Sequence, residues 1–279
     1  MIWIVILVIA LIAVMPLVDE MRRPRMEEDA RRTAPGDFAA LSQGTTHYQW
    51  IGPLRGPIAV CVHGLTTPSF VWHGLAKGLA LMGYRVLIYD LYGRGYSDRP
   101  QGTQDRAFFL RQLEDLLEDQ QIKDDFLLLG YSMGGAIAST YASANPGRVR
   151  QLMLLASAGL SPLPGHMARF AKQIPVLGDW LMYAFYPRTQ QHSIEAGRIL
   201  PSSVPNITDL QSLELNFRGF VPAVLASLRG VLDEDIGPDL QSLHRSGLPV
   251  LAIWGGTDAV IPLTAMGQLA KIIRSRQQE

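Results

Sequence analysis

The chain has 279 residues, no net formal charge and one cysteine. With an apolar N-terminal segment set aside, about 250 residues remain, enough for one large core and long for two. The neutral balance supplies no basic face for nucleic acid. Cys61, alone and inside an apolar run, cannot form an internal disulfide and reads as a small buried hydrophobe.

Residues 1–18 carry no charged side chain. That length is near the lower limit for a membrane-spanning helix. A cleavable signal peptide wants a basic stretch first and a small-x-small cleavage site after. Here no Lys or Arg precedes the run, and Pro16-Leu17-Val18-Asp19 is a poor cleavage site. Arg22, Arg23, Arg25, Arg31 and Arg32 follow instead, which by the positive-inside rule puts the remainder in the cytoplasm. The expectation is a single-pass anchor over residues 1–18, in contact with membrane lipid. A charged tether over 19–45 then leads into a domain over 46–279.

Residues 46–50 predict a first strand, and Gly52, Pro53, Gly56 and Pro57 a turn. Ile58-Ala59-Val60-Cys61-Val62 is a buried strand running into His63-Gly64. Residues 71–82 have helical apolar spacing, stopped at Gly83. Residues 85–90 form another buried strand, followed by the glycine-rich stretch Leu91-Tyr92-Gly93-Arg94-Gly95-Tyr96-Ser97-Asp98. Phe109, Leu113, Leu116 and Leu117 share one helical face. Phe126-Leu127-Leu128-Leu129 is the next strand, residues 136–144 a helix, and Leu152-Met153-Leu154-Leu155 a strand again. Strands apolar throughout, alternating with helices, predict an α/β fold with a mostly parallel sheet covered on both faces. The alternation breaks near residue 160. Residues 161–245 hold scattered prolines and the aromatics Phe170, Trp180, Tyr183, Phe185 and Tyr186. The pattern resumes at Pro249-Val250-Leu251-Ala252-Ile253-Trp254, then Gly255-Gly256-Thr257-Asp258, then a helix over about 263–274.

Gly130-Tyr131-Ser132-Met133-Gly134 fits G-x-S-x-G, and it lies between a buried strand and a helix. The serine therefore sits on a sharp turn with a helix N-terminus aimed at it. A serine hydroxyl needs a base, a group to orient that base, and donors for the oxyanion that forms. The donors are assigned to the backbone N–H of Met133 and to that of Leu65, in the loop after the His63 strand. His63 lies beside that loop, and its expected role is structural hydrogen bonding rather than base. No His or Cys pair has metal-ligand spacing, so no metal is expected. Gly93-Arg94-Gly95 lacks G-x-G-x-x-G spacing and reads as a tight loop, not a phosphate cradle. No cofactor is expected.

Together His63-Gly64, the Gly93-x-Gly95-x-Ser97 loop, the elbow at Ser132, and Gly256-Thr257-Asp258 with Pro262 closely resemble the α/β-hydrolase fold family, over about residues 57–275. Among its members the chain is most similar to membrane-anchored esterases and monoacylglycerol lipases. The resemblance implies that Ser132 is the nucleophile, that Asp258 orients the histidine, and that residues 161–245 are a helical lid. Trp180, Tyr183 and Phe185 would line an acyl pocket. The implied activity is hydrolysis of a small-molecule acyl ester through an acyl-serine. A carbon–carbon bond hydrolase, a haloperoxidase of the same fold, and a non-catalytic membrane-tethered binding protein are the alternatives. A serine nucleophile argues against the dehalogenase and epoxide-hydrolase branches. One departure stands out. The family's histidine follows the acid after one more strand, but none of His47, His63, His73, His166, His192 and His244 follows Asp258. The expectation is that the C-terminal strand and the triad histidine are missing from these 279 residues, with activity impaired if the chain ends there. His166 and His192, in the lid, are the stand-ins to consider.

Overall fold

In the computed structural model the described residues are 1–160, 174–258 and 260–274. The apolar runs form one seven-stranded sheet: β1 (Asp37–Leu41), β2 (Gly44–Ile51), β3 (Ile58–Val62), β4 (Arg85–Tyr89), β5 (Phe126–Tyr131), β6 (Val149–Leu155) and β7 (Val250–Ile253). Their order is β1-β2-β4-β3-β5-β6-β7. β1 and β2 are antiparallel, β2 is antiparallel to β4, and the pairings from β4 through β7 are parallel.

Successive side chains of a strand point to opposite faces, and here they divide into two cores. Val60, Val62, Leu87, Leu128, Leu152 and Leu154 face α4 (Arg106–Asp119) and α5 (Met133–Ala144) in the larger one. Ala59, Cys61, Val86, Ile88, Leu127 and Leu129 face Trp72, Ala76 and Leu79, around α3 (His73–Leu81). Burial on both faces is why β3 and β5 are apolar throughout. Cys61 is the buried hydrophobe the sequence implies.

The segment expected as a tether over 19–45 is folded. α1 (Ile2–Arg22) runs past the apolar stretch, α2 is Glu28–Arg31, and β1 makes a hairpin with β2. Arg31 pairs with Asp98 at 2.5 Å, and Glu20 Oε1 accepts from the Gly219 N–H at 2.6 Å, so the start and the middle of the segment are fastened to the body. Asp37-Phe38-Ala39-Ala40-Leu41 has weak β propensity of its own; pairing with β2 makes it a strand.

Within the insertion, the helices are α6 (Pro175–Gly197), α7 (Ile207–Glu214) and α8 (Phe220–Arg229). They share a separate apolar cluster of Met182, Ile194, Leu215, Phe220, Val221 and Val224. α9 (Gly237–Ser246) instead sends Leu240 and Leu243 into the main core, next to Ala265 and Leu269 of α10 (Leu263–Arg274). The reading of 161–245 as one insertion therefore extends too far: α9 belongs to the layer that covers the sheet. Residues 161–173, with Phe170 and His166, lie outside the described residues.

Candidate active site

β5 leads directly into α5, and the junction is Ser132 at φ +53°, ψ −118°. A side chain at such a backbone conformation is strained by about 1–3 kcal/mol and needs its surroundings to hold it. Three backbone hydrogen bonds do so. The Ser132 N–H donates to Leu155 O at 3.0 Å, and its carbonyl accepts from the N–H groups of Gly135 and Ala158, each at 2.9 Å. Gly134 lets α5 start close against the end of β3, since a β-carbon there would run into the Val62 carbonyl. Met133, whose side chain is fully buried, is the first residue of α5, so its N–H is among those a helix leaves without an internal partner.

The loop after β3 lies alongside. A β-carbon on Gly64 would sit 3.2 Å from Ser132 Cβ. His63 is fully buried and both its nitrogens are engaged: Leu91 N–H donates to Nε2 at 2.8 Å, which leaves the proton on Nδ1 to donate to Gly64 O at 2.7 Å. Burial pushes its pKa down to about 4. His63 is thus a neutral brace of this loop, with no nitrogen free to act on Ser132.

Leu65 is held from the other side by Arg94, a residue read from sequence only as part of a tight loop. The Arg94 side chain has no solvent exposure. Its five donors reach Leu65 O (2.9 Å), Tyr92 O (2.8 Å), Gln104 Oε1 (2.7 Å), Ala223 O (3.2 Å) and Ser227 Oγ (2.8 Å). Burial among neutral acceptors lowers its pKa. Deeper in the same region Asp90 accepts from His47 Nδ1 (2.7 Å), Ser69 N–H (2.8 Å) and Tyr96 N–H (3.0 Å). Burial works to raise its pKa, but those partners win and hold it at about 2.

Asp258 follows β7. The register rows Tyr131↔Leu155 and Leu155↔Ile253 put the ends of β5, β6 and β7 side by side, so Ser132 and Asp258 leave the same edge of the sheet. Burial and the negative charge of Asp258 together raise the pKa of Tyr131, the residue before the serine. Asp258 Oδ1 accepts from Val260 N–H (2.8 Å) and Ile261 N–H (2.9 Å), fixing the turn. Oδ2 takes no hydrogen bond among the described residues. Nor does any histidine among them bond Ser132: His47 and His63 are buried elsewhere, and His192 is exposed on α6.

The three aromatics expected around an acyl chain have different surroundings. Trp180 turns toward α1, its indole N–H donating to Ala13 O at 2.9 Å. Phe185 stacks edge-on against Trp180 with centroids 6.1 Å apart and is largely exposed. Tyr183 packs with Tyr186 onto the insertion's apolar cluster, which Leu65 also joins. Tyr183 also lines a cavity of about 830 Å³ that lies between the end of α1 and the body, bordered by Leu17, Glu20, Arg99 and Arg218. Ser132 does not border it.

Residues 57–279 match the family model described as the alpha/beta hydrolase fold. An uncharacterized protein of Mycobacterium tuberculosis is 28% identical over 221 residues, 75% of this chain. The chain spans 63% of the length of that relative. A pimeloyl-[acyl-carrier protein] methyl ester esterase of Vibrio campbellii is 26% identical over 245 residues, 84% of this chain and 89% of that one. Among solved structures, a membrane phospholipase A superposes with a TM-score of 0.67 at 19% identity, covering 98% of this chain and 86% of the other. At that identity the likeness is one of fold.

Proposed function

This chain belongs to the α/β-hydrolase fold family, and on that premise we propose that it cleaves carboxylic esters with Ser132 as nucleophile. The observation that carries the reading is the backbone of Ser132, held at φ +53° between a buried strand and a helix start, with the Gly64–Leu65 loop against it. Gln121, Asp125, Ala156 and Asn206 also have positive φ, but only at Ser132 does it fall on a polar residue between a buried strand and the helix that follows it directly. A conformation held by its surroundings in this way supports a functional reading. Ser132 Oγ attacks the ester carbonyl and gives up its proton to a base. The oxyanion takes hydrogen bonds from the N–H groups of Met133 and Leu65. The alcohol leaves with a proton, and water then releases the acid from the acyl-serine. Asp258, whose Oδ2 takes no hydrogen bond among the described residues, is the orienting carboxylate for a histidine base. Tyr183 and Tyr186, in one cluster with Leu65, form the apolar wall for the acyl chain, with Trp180 and Phe185 on the outer side of the same helix. Such a wall favours medium acyl chains over acetate.

The setting is a membrane surface. α1 is long and apolar enough to cross a bilayer, and arginines follow it. The substrate is then a small-molecule acyl ester reached by a membrane-anchored enzyme, with its domain on the cytoplasmic side.

Mass spectrometry of the chain incubated with p-nitrophenyl butyrate and imidazole, which stands in for the base the described residues do not supply, tests the nucleophile. A butyryl adduct on the peptide that holds Ser132, absent in Ser132→Ala, is the expected result. An adduct unaffected by that substitution would overturn the assignment.

A further inference from the structure

The geometry points to a second membrane-embedded element: we propose that the outer face of residues 174–186, on the first half of α6, is a docking surface for the lipid bilayer, continuous with α1. The inference rests on the reading of α1 as an anchor and adds to it a depth and a route. The fixed point is the hydrogen bond from Trp180 Nε1 to Ala13 O, at 2.9 Å. Ala13 lies five positions before Val18, the last residue of the uncharged run. At about 1.5 Å of rise per residue, that is about 7.5 Å inside the apolar end of the helix. Helices lying in a membrane interface bury their apolar face by about 5–10 Å. If α1 is in lipid, the residue bonded to Ala13 is at that depth too.

The composition of α6 fits the position. Residues 174–187 contain a single charged side chain, Asp179, and it is neutralised by Arg229 at 2.6 Å. Val176 is 85% exposed, Leu177 48% and Phe185 45%. Val176 has little protein cover and Leu177 and Phe185 about half, and α1 beside them is similarly bare, with Leu7 69% and Leu11 68% exposed. Basic residues resume at Arg188. One apolar surface thus runs across both helices and ends where charge returns, which is the pattern of an interface between protein and lipid.

The inner face of the same stretch gives the surface a purpose. Met182, Tyr183 and Tyr186 pack into the cluster that includes Leu65, one of the two assigned oxyanion donors. A single helix therefore has lipid on one side and the serine's loop on the other. An ester dissolved in the bilayer would reach Ser132 along α6 without crossing bulk water.

Labelled cysteines test this on the full chain in liposomes. A nitrobenzoxadiazole probe is placed singly at Val176→Cys, Phe185→Cys, Leu7→Cys and Leu81→Cys; all four sites are exposed, and Cys61 is buried from the reagent. The vesicles are phosphatidylcholine and phosphatidylglycerol with or without brominated acyl chains. The expected result is blue-shifted emission and loss of intensity to bromine at positions 7, 176 and 185, with position 81 unchanged. Quenching at position 7 with water-like emission at 176 and 185 would overturn the proposal and leave the anchor standing. Water-like emission at position 7 as well would overturn both.

Discussion

The Nε–H of Arg94, a side chain with no exposure to solvent, donates to the carbonyl of Leu65 at 2.9 Å. That bond fixes the residue whose own N–H is assigned to the oxyanion. The other four Arg94 donors reach Tyr92, Gln104, Ala223 and Ser227, so one side chain ties the Gly64–Leu65 loop to α8 in the insertion. A lysine keeps the charge but loses the planar fork and two of the five donors. We expect Arg94→Lys to destabilise the fold by about 3 kcal/mol, since carbonyls such as those of Leu65 and Ala223 are left buried without donors. Urea unfolding measures that loss. Acylation of Ser132 should slow as well, at temperatures where the variant is still folded. Wild-type stability in Arg94→Lys would show that the network is dispensable.

The pair His47–Asp90 makes stability depend on pH in a definable direction. Both imidazole nitrogens of His47 face acceptors, Asp90 Oδ2 on one side and the Pro35 carbonyl on the other, so the ring carries two protons. Burial works against that charge, but the hydrogen bond to Asp90 and its negative charge prevail and raise the pKa above 6.5. A raised histidine contributes fully below its unfolded pKa, and the contribution is lost as pH rises through the folded one. Asp90, held at about 2, contributes above its ordinary 3.8 and loses that contribution as pH falls toward 2. The pair is therefore worth most between about pH 4 and 6.5. Other groups titrate in the same range: burial raises Glu214 to about 7 and lowers His63 to about 4. The comparison that isolates the pair is wild type against His47→Gln. Their difference in unfolding free energy should be larger at pH 5.5 than at pH 8.5. A constant difference would mean that His47 is neutral in the folded protein.

The inner strands β3, β4 and β5 were legible because burial on both faces demands apolar residues along almost their whole length, and such runs stand out between turns. Ser132 was legible for a related reason, since G-x-S-x-G gains meaning from the buried strand before it and the helix after it. β1 was not, because two alanines and an aspartate carry little strand preference and the pairing with β2 supplies the rest. Arg94 was not legible either. Its five acceptors come from residues 65, 92, 104, 223 and 227, and no local pattern links positions so far apart. The fastening of residues 19–45 escaped for the same reason, as charge runs look alike whether solvated or paired across the fold as Arg31 is with Asp98.

Anchoring by α1 has a direct test. Its exposed apolar side chains, Ile2, Leu7, Leu11 and Met15 among them, would be an aggregation hazard in water. Expressed in cells, the chain should stay with membranes through alkaline carbonate extraction. Removing residues 1–18 should release it to the soluble fraction in the same extraction, since an interfacial face such as that of α6 binds reversibly where a spanning helix does not. Release of the intact chain would sink the anchor.

The base is the part of the site that the described residues do not supply. His63 has both nitrogens engaged, His47 is tied to Asp90 and Pro35, His192 is exposed on α6, and neither His73 at the start of α3 nor His244 on α9 bonds Ser132. Without a base Ser132 keeps its proton, and the oxyanion donors alone stabilise the transition state. Loss of the base in one well-studied serine protease costs about a million-fold in kcat, leaving roughly 10³–10⁴ over water. The 279-residue chain should accordingly hydrolyse p-nitrophenyl butyrate very slowly. Among the described residues Asp258 Oδ2 takes no hydrogen bond, and Asp258 leaves the same sheet edge as the serine, where it could orient an imidazole from solution. We therefore expect added imidazole to raise the rate with saturation, beyond its own reaction with the ester. The saturable part should vanish in Ser132→Ala and weaken in Asp258→Asn, which leaves the added ring without a carboxylate to orient it. Fast turnover with no imidazole, abolished in Ser132→Ala, would give a different answer: a histidine already in the chain is the base. His166→Ala and His192→Ala would then identify which.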